Sequence, residues 1–206
     1  KEAKKKLDKR ATRLVASRAK LRALQATLSL SKGGKPGRLT AVDVEAFERD
    51  QSNILEIGLA SYCQATRHFE CRHFVIKEGL GKRNGRFVDD NRSFFLFGRS
   101  EVMSRRQASE ETGRILKSSR CIVGHDLKGD LAWLRELGVD VESKLLADTQ
   151  KIDFALTPPE EEAAWAAAGS AARMRSLKTL AEVNGLVPLR MHNGANDAYF
   201  TLAVFL

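Results

Sequence analysis

Two carboxylates, Asp43 and Glu45, lie in an apolar stretch that predicts a β-strand over Leu39–Phe47. Side chains two residues apart on a strand share one face of the sheet, so both carboxylates are expected to point the same way. Two anions held together in a sheet core repel each other and are costly to desolvate, and a bound cation would remove that cost. Taken alone, such a pair is more often found on an exposed sheet edge.

Three further side chains of suitable chemistry follow later in the chain: Asp130, His192 and Asp197. Asp130 falls in the first turns of a predicted helix, at the edge of its leucine stripe. Asp197 lies near the start of the last predicted helix, and His192 precedes it by five residues. Each acid alone is typical of a helix N-terminus, where the dipole favours negative charge. Their order is more informative, because the acidic pair on a first strand, the acid on a middle helix and the spaced histidine and aspartate indicate one composite site.

Three segments that contain these residues resemble the exonuclease motifs of the DEDDh superfamily: AVDVEAFE, VGHDLKGDL and HNGANDA. The resemblance extends over residues 38–206, and the third motif is its most specific part. Two stretches, NGRFVDDNRSFFLFG and HNGANDAYFTL, further resemble a fungal group of DEDDh-like proteins named for supporting the full activity of a DEAD-box helicase. The resemblance implies a ribonuclease H-like fold and a metal-dependent 3′→5′ exonuclease. Its substrate would be single-stranded RNA or DNA, with RNA favoured by the link to a helicase.

The resemblance also implies roles for individual residues. Two Mg²⁺ or Mn²⁺ ions would be held by four acids: Asp43, Glu45, Asp130 and Asp197. Hard oxygen ligands suit both cations, and a pair of ions can stabilise the attacking and leaving oxygens together. His192 would deprotonate the attacking water, a role that suits a side chain titrating near neutral pH. The backbone around Val44 and Ala46 would line the pocket for the terminal nucleotide.

The second motif departs from the usual family pattern at two positions. Asp126 stands where the family has an asparagine, and Gly129 stands where an aromatic residue precedes the aspartate. An additional carboxylate could bias metal occupancy, and the missing ring could loosen the helix or the substrate pocket. The alternative function is therefore a nuclease-fold protein with weak or no catalysis, which binds nucleic acid or acts as a scaffold in a ribonucleoprotein assembly.

A predicted loop over Glu78–Arg92 carries three basic residues near a tight turn at Asn84-Gly85: Lys82, Arg83 and Arg86. These residues are candidate contacts for the backbone of a substrate, and a solvated hairpin tip is the alternative. Four metal-ligating residues lie close together in sequence: Cys63, His68, Cys71 and His73. They lack the paired spacing of a zinc knuckle. On the strand His68–Lys77, His68 points to one face and Cys71 and His73 point to the other, so we predict no zinc site. The three cysteines of the chain suit a reducing intracellular compartment, whether cytoplasm, nucleus or mitochondrion.

The elements that must position the five candidate residues alternate between strands and helices. The predicted strands are Leu39–Phe47, Ile54–Cys63, His68–Lys77, Cys121–Val123 and Leu145–Ala155. Helices are predicted from Ser104 to about Ser119, from Leu127 to Leu137, from Ser176 to Asn184 and from Gly194 to the end. An Ala/Glu-rich insertion, Pro158–Ala172, is either helical or mobile. This order predicts an α/β domain with a mixed sheet flanked by helices.

Residues 1–37 are predicted to form a basic helical arm with a Gly/Pro hinge, ahead of the exonuclease-like domain over residues 38–206. Three leucines give the arm an apolar stripe: Leu21, Leu24 and Leu28. The arm would either pack this stripe on the domain or a protein partner, or contact phosphates. A net charge of +9, from 35 basic and 26 acidic residues, favours a polyanionic partner. No apolar run approaches the roughly 20 residues that span a bilayer, so we expect a soluble protein without a membrane partner. Because the first residue is a lysine, we also expect the natural chain to begin earlier.

Overall fold

A mixed six-stranded sheet with the order β4-β3-β2-β1-β5-β6 forms the centre of the molecule. The computed structural model describes residues 2–29, 37–167 and 174–206. Its strands are β1 (Arg38–Phe47), β2 (Asp50–Cys63), β3 (His68–Ile76), β4 (Ser100–Met103), β5 (Ser119–Gly124) and β6 (Leu145–Asp148). The first three strands pair antiparallel, whereas β4, β5 and β6 each join the sheet parallel to a neighbour. The predicted mixed sheet is confirmed.

Helices cover both faces of this sheet. In the described parts of the chain they are α1 (Glu2–Ser29), α2 (Arg105–Ser118), α3 (Lys128–Glu136), α4 (Thr149–Leu156), α5 (Pro159–Ala167), α6 (Leu177–Val183) and α7 (Gly194–Phe205). Val42 and Val44 of β1 belong to a core cluster with residues of α2 and α3. Leu39 and Ala41 point to the other face and belong to a second cluster with residues of α7 and α1. Because side chains alternate along a strand, Asp43 and Glu45 share the face that α7 covers.

Side-chain caps fix the starts of two predicted helices. Ser104 accepts the N–H of Gln107 in a reciprocal capping box, and α2 begins at the next residue. Ser176 likewise accepts the N–H of Thr179 before α6. The predicted starts of both helices are confirmed. Each cap satisfies a backbone N–H donor that has no partner within the helix.

One predicted strand is too long, and one strand of the structure was not predicted. The strand predicted over Leu145–Ala155 ends at Asp148, whose carboxylate accepts the N–H groups of Gln150 and Lys151 and starts α4 there. Residues 93–97 form an irregular loop, and the strand beyond it, β4, was not predicted and lies at the edge of the sheet. An edge strand buries little, so β4 lacks the apolar alternation that would reveal it.

The N-terminal helix packs on the domain through its apolar stripe. Leu24 is buried in the core cluster that α7 also enters, and Leu14 is buried as well. Arg18 donates to the carbonyl oxygens of Ala155 and Thr157, both at 3.1 Å, which ties α1 to the end of α4. The predicted hinge falls mainly on residues 30–36, outside the described residues, as does the end of the predicted insertion at 168–173. Within the described ranges, no helix is long and apolar enough to cross a membrane.

Candidate active site

The N-terminus of α7 lies directly on β2, which brings the third motif to the acidic strand. Gly58 of β2 is the register partner of Asp43 on β1. A Cβ atom on Gly58 would fall 1.9 Å from the carbonyl carbon of Gly194, and one on Gly194 would fall 3.2 Å from the carbonyl oxygen of Asp43. Glycine at position 58 therefore permits the helix to approach the strand this closely. Gly58 is not among the residues predicted from the sequence, although a glycine inside a strand often marks such a close backbone approach.

Three of the predicted site residues form one compact group of ligand atoms. One ligand atom each from Glu45, His192 and Asp197 lies within 4.8 Å of the other two. Asp197 is 6% exposed, and its Oδ2 accepts the backbone N–H of His192 at 2.9 Å. Its other oxygen, Oδ1, is buried and has no hydrogen-bond partner. A buried carboxylate oxygen without a partner is rare in folded proteins and calls for an explanation such as an ion or water.

Asp130 reaches the same strand from the opposite side of the sheet. Its side chain is 6% exposed, and Oδ1 accepts the backbone N–H of Val44 at 3.0 Å. This bond fixes the carboxylate of Asp130 beside the residue that lies between Asp43 and Glu45. The backbone N–H of Val44 is therefore used for positioning Asp130.

The pKa values of all four carboxyls lie above their ordinary values. Desolvation is the largest cause at each position, and it helps to raise the pKa of Glu45 to about 8 and those of Asp130 and Asp197 to about 7. The pKa of Asp43 is raised well above its usual range by burial and then by the negative charges of Asp130, Asp197, Glu45 and Glu56. Neighbouring carboxylates cannot all be charged without a large cost in electrostatic free energy. A bound cation would lower that cost.

The donor set fits a divalent cation of the hard type. The four carboxylates offer oxygen atoms, which Mg²⁺ and Mn²⁺ prefer over sulfur. The partnerless Oδ1 of Asp197 is available as a ligand, and the imidazole of His192 lies within reach of the same group. Across the described ranges, no other three metal-ligating side chains come together in this way, and the cysteine and histidine residues of β2 and β3 form no such group.

His192 occupies a backbone conformation that turns its N–H toward Asp197. Its φ is +63°, in the left-handed region, where histidine is found more often than most side chains. The next residue, Asn193, is the N-cap of α7 and accepts the N–H of Asn196 at 3.1 Å. The imidazole itself is exposed, so it is accessible to a substrate or water at the edge of the acidic group.

A buried ionic network, which was not predicted from the sequence, supports the site from behind. Glu56 of β2 is 3% exposed, and its Oε2 lies 2.8 Å from Nε2 of His73. The same oxygen accepts the N–H of Gly194 at 3.4 Å, while Oε1 lies 3.5 Å from Nε of the buried Arg92. Glu56 thus connects the sheet to the first residue of α7. The register pairing of Glu56 with Glu45 was the signal that could have indicated this network. Its buried partners, His73 and Arg92, are 17 and 36 residues away in sequence.

The two departures in the second motif have visible structural consequences. Asp126 is exposed with a φ of +56°, and its N–H donates to Oδ1 of Asp148. Its negative charge contributes to the raised pKa of Asp130. A Cβ atom on Gly129 would meet only the ring of Trp133, at 3.7 Å, so the surface beside Asp130 is open.

The predicted substrate contacts on the basic loop have local partners. Asn84 binds the loop to the end of β1, because its Nδ2 donates to the carbonyl oxygen of Ala46 at 3.0 Å. Lys82 hydrogen-bonds to Asn53, Arg83 pairs with Asp90, and the guanidinium of Arg86 lies over the ring of Phe87. The loop therefore lies against the end of the strand that carries Asp43 and Glu45, and contact of its basic residues with a substrate stays a prediction.

The chain has the ribonuclease H-like fold, which it shares with two solved structures. It superimposes on a full-length 3′-exonuclease with a TM-score of 0.53 at 11% identity, covering 84% of this chain and 60% of that one. It also superimposes on the Neurospora crassa Pan2 catalytic unit, which contains protease and nuclease domains, with a TM-score of 0.50 at 20% identity. That alignment covers 84% of this chain and 27% of the Pan2 chain.

Residues 38–206 match the DEDDh family described as DNA polymerase III subunit epsilon-like, C-terminal domain, and the chain belongs to that family. Over 199 residues it is 30% identical to an uncharacterized protein of Saccharomyces cerevisiae, an alignment covering 81% of this chain and 40% of the relative. It is 28% identical over 200 residues to the S. cerevisiae protein named Good for full DBP5 activity protein 2, covering 80% of this chain and 34% of that protein. The chain thus spans less than half the length of these relatives. The expected resemblance to the helicase-linked fungal group is confirmed.

Proposed function

We propose that the chain is a metal-dependent exonuclease that removes nucleotides from the 3′ end of a single-stranded nucleic acid, with RNA favoured over DNA. The single observation that carries this proposal is the meeting of Glu45, His192 and Asp197 around a buried carboxylate oxygen that has no partner. Asp43 shares a face of β1 with Glu45, and Asp130 accepts the N–H of Val44 between them, so both would join the same site. The 3′→5′ direction and the preference for RNA rest on resemblance to relatives.

The roles proposed for the chain's own residues come from the family resemblance. Asp43, Glu45, Asp130 and Asp197 would hold two Mg²⁺ or Mn²⁺ ions, which would supply Lewis acidity to the attacking and leaving oxygens when bound. His192 is exposed at the edge of this group and takes a proton from the attacking water. The water oxygen then forms a bond to the terminal phosphorus, the 3′ oxygen of the penultimate nucleotide leaves, and a nucleoside 5′-monophosphate is released.

The cationic surface of α1 is proposed to extend contact with a polyanion. Leu14 and Leu24 are buried against the domain, so the helix presents its other side to the surroundings. Exposed basic residues of this helix include Lys9, Lys20 and Arg22, whereas the guanidinium of Arg13 lies over the ring of Phe154 in the domain. A protein of a ribonucleoprotein assembly is the other partner that fits this helix, since one relative is named for its effect on the activity of another protein.

A second function from a different class is a binding or scaffold protein with the nuclease fold and little catalysis. The observations that favour it are the exposed Asp126 and the open surface at Gly129, both beside Asp130. In that case the acidic site would bind a cation without turnover, and the chain would act through its nucleic-acid or protein contacts.

Incubation of 5′-labelled single strands with Mg²⁺ or Mn²⁺ distinguishes these functions. The exonuclease proposal predicts a ladder that shortens from the 3′ end and is abolished by Asp43→Ala and by His192→Ala. Asp89→Ala serves as a control, because Asp89 is an exposed acid on the loop outside the acidic group. An intact strand that is nevertheless bound, with an affinity that falls as salt rises, would favour the scaffold function instead.

A further inference from the structure

A loop that contacts the third motif presents the ring of Phe94 to the surroundings. Phe95 points inward and packs on His73, with ring centroids 5.3 Å apart, and Phe97 stacks on Tyr199 at 3.7 Å. These contacts anchor the loop to the domain. Phe94 is the most exposed ring of the loop, at 46% against 37% for Phe97. A ring that stays exposed on a loop anchored by its neighbours is available for contact with a ligand.

Arg190 covers this ring with its guanidinium group. The central carbon of the guanidinium lies 4.2 Å from the centroid of Phe94, a distance typical of a stacked cation–π pair. Arg190 is also exposed, and it precedes His192 by two residues. The pair therefore offers a flat, cationic and partly apolar surface next to the candidate general base.

A single buried side chain fixes both residues of the pair. Nδ2 of Asn196 donates to the carbonyl oxygens of Phe94 and Arg190, at 2.9 and 3.0 Å, and Oδ1 accepts the N–H of Leu96 at 3.0 Å. Asn196 is fully buried and directly precedes Asp197 in α7. Asn196 is hydrogen-bonded to the backbone of both residues of the pair and is the chain neighbour of Asp197. The position of the Phe94–Arg190 pair is consequently coupled to the position of a proposed metal ligand.

We infer that Phe94 and Arg190 form a stacking platform for an unpaired base of a single-stranded nucleic acid. This inference rests on the proposed function, in which the 3′ end of the strand lies at the acidic group. Unpaired bases stack on aromatic rings and on the planes of arginine side chains, and an arginine adds attraction for the neighbouring phosphate. The net charge of +9 favours the same class of occupant. Bases within a duplex have no free face, so the platform selects unpaired ends.

The test uses the whole chain and an oligoribonucleotide that carries 2-aminopurine at one of its last positions. Binding is measured with Ca²⁺ as the cation, and the length of the strand is checked on a gel after each titration. Phe94→Leu keeps the apolar surface but removes the ring, whereas Phe94→Trp keeps a ring. Val183→Ala is the matched control, since Val183 is an exposed apolar residue at the end of α6.

The platform predicts that 2-aminopurine fluorescence is quenched on binding at one position near the 3′ end. Phe94→Leu should lose this quenching and bind on the order of tenfold more weakly, whereas Phe94→Trp and Val183→Ala should bind like the unaltered chain. Equal binding and quenching by Phe94→Leu, or no binding of the strand by the unaltered chain, would overturn the platform. Normal quenching without shortening of the strand in Mg²⁺ would leave the platform standing and reject the exonuclease proposal alone.

Discussion

At the scale of single residues, Asp197 has the surroundings that indicate a cation most directly. One of its oxygens accepts the N–H of His192, and the other is buried with no partner. Asp197→Asn should lower the affinity for Mn²⁺ by at least about 100-fold, because even partners that only orient a ligand contribute about 10- to 100-fold. Isothermal titration with Mn²⁺ measures this decrease, with the exposed Asp89→Asn as the control. Unchanged Mn²⁺ affinity in Asp197→Asn would show that Asp197 is not a ligand.

The raised pKa values predict how stability depends on pH without metal. Glu45, Asp130 and Asp197 have folded-state pKa values of about 8, 7 and 7, above their ordinary values. The folded chain therefore holds more protons than the unfolded chain between about pH 4 and 8. The stability due to these groups is fully present below about pH 4 and is lost as the pH rises through 7 to 8.

Urea denaturation in EDTA checks this dependence. The free energy of unfolding should be lower at about pH 8.5 than at about pH 5, and Asp197→Asn should reduce the difference. Added Mn²⁺ should stabilise the chain more at the higher pH, since protons compete with the cation for the same oxygens. A free energy of unfolding in EDTA that rises over this interval would contradict the assignment.

At the scale of elements, the contact between β2 and α7 determines whether the site exists. Gly58→Ala would place a Cβ atom 1.9 Å from the carbonyl carbon of Gly194, so the N-terminus of α7 must move. Overpacking of this kind costs about 1–3 kcal/mol, and the displacement should also weaken Mn²⁺ binding. Gly113→Ala in α2 is the matched control, because its Cβ atom would meet nothing within 4 Å. That substitution should stabilise the helix by about 0.5–1 kcal/mol.

Urea denaturation and Mn²⁺ titration of both alanine variants measure these effects. A Gly58→Ala chain with unaltered stability and Mn²⁺ affinity would show that the helix does not rely on this approach.

The elements also show which parts of the molecule are predictable from sequence. The first three strands and the helices after Ser104 and Ser176 follow from alternation and capping, both of which are local. The helix that Asp148 caps looks in sequence like the continuation of a strand, because the capping residue lies within an apolar stretch. The Glu56–His73–Arg92 network cannot be predicted from the sequence, since its members meet only through the pairing of strands and the packing of a loop. The meeting of Glu45, His192 and Asp197 is predictable from the order of the motifs, which the family resemblance supplies, and the part of Asp43 and Asp130 in the same site stays a prediction.

At the scale of the whole molecule, charge and the position of α1 determine how the chain meets a polyanion. Deleting α1 would expose the core residues that Leu14 and Leu24 cover, so neutralising its surface is the cleaner test. The triple variant Lys9→Gln, Lys20→Gln, Arg22→Gln should bind single strands more weakly. Its plot of log affinity against log salt should be shallower by about 0.7 for each phosphate that α1 no longer neutralises.

Binding titrations at several salt concentrations give this slope, and thermal unfolding shows whether the triple variant folds. A matched variant with three exposed acids neutralised (Glu110, Glu142 and Glu182) should leave the slope of the salt dependence in place. An identical slope and affinity in the triple basic variant would indicate that α1 contacts a protein or nothing, and that the polyanion binds elsewhere.

The carboxylates on β1, α3 and α7 are proposed to form one divalent-cation centre next to His192. A crystal of the whole chain soaked with Mn²⁺ and a nucleoside 5′-monophosphate tests it most directly, because Mn²⁺ is located by its anomalous scattering. We expect anomalous peaks within about 2.5 Å of the carboxylate oxygens, including Oδ1 of Asp197, with the phosphate of the nucleotide beside them. Absence of a peak among Asp43, Glu45, Asp130 and Asp197, or a peak at some other group of residues, would contradict the claim.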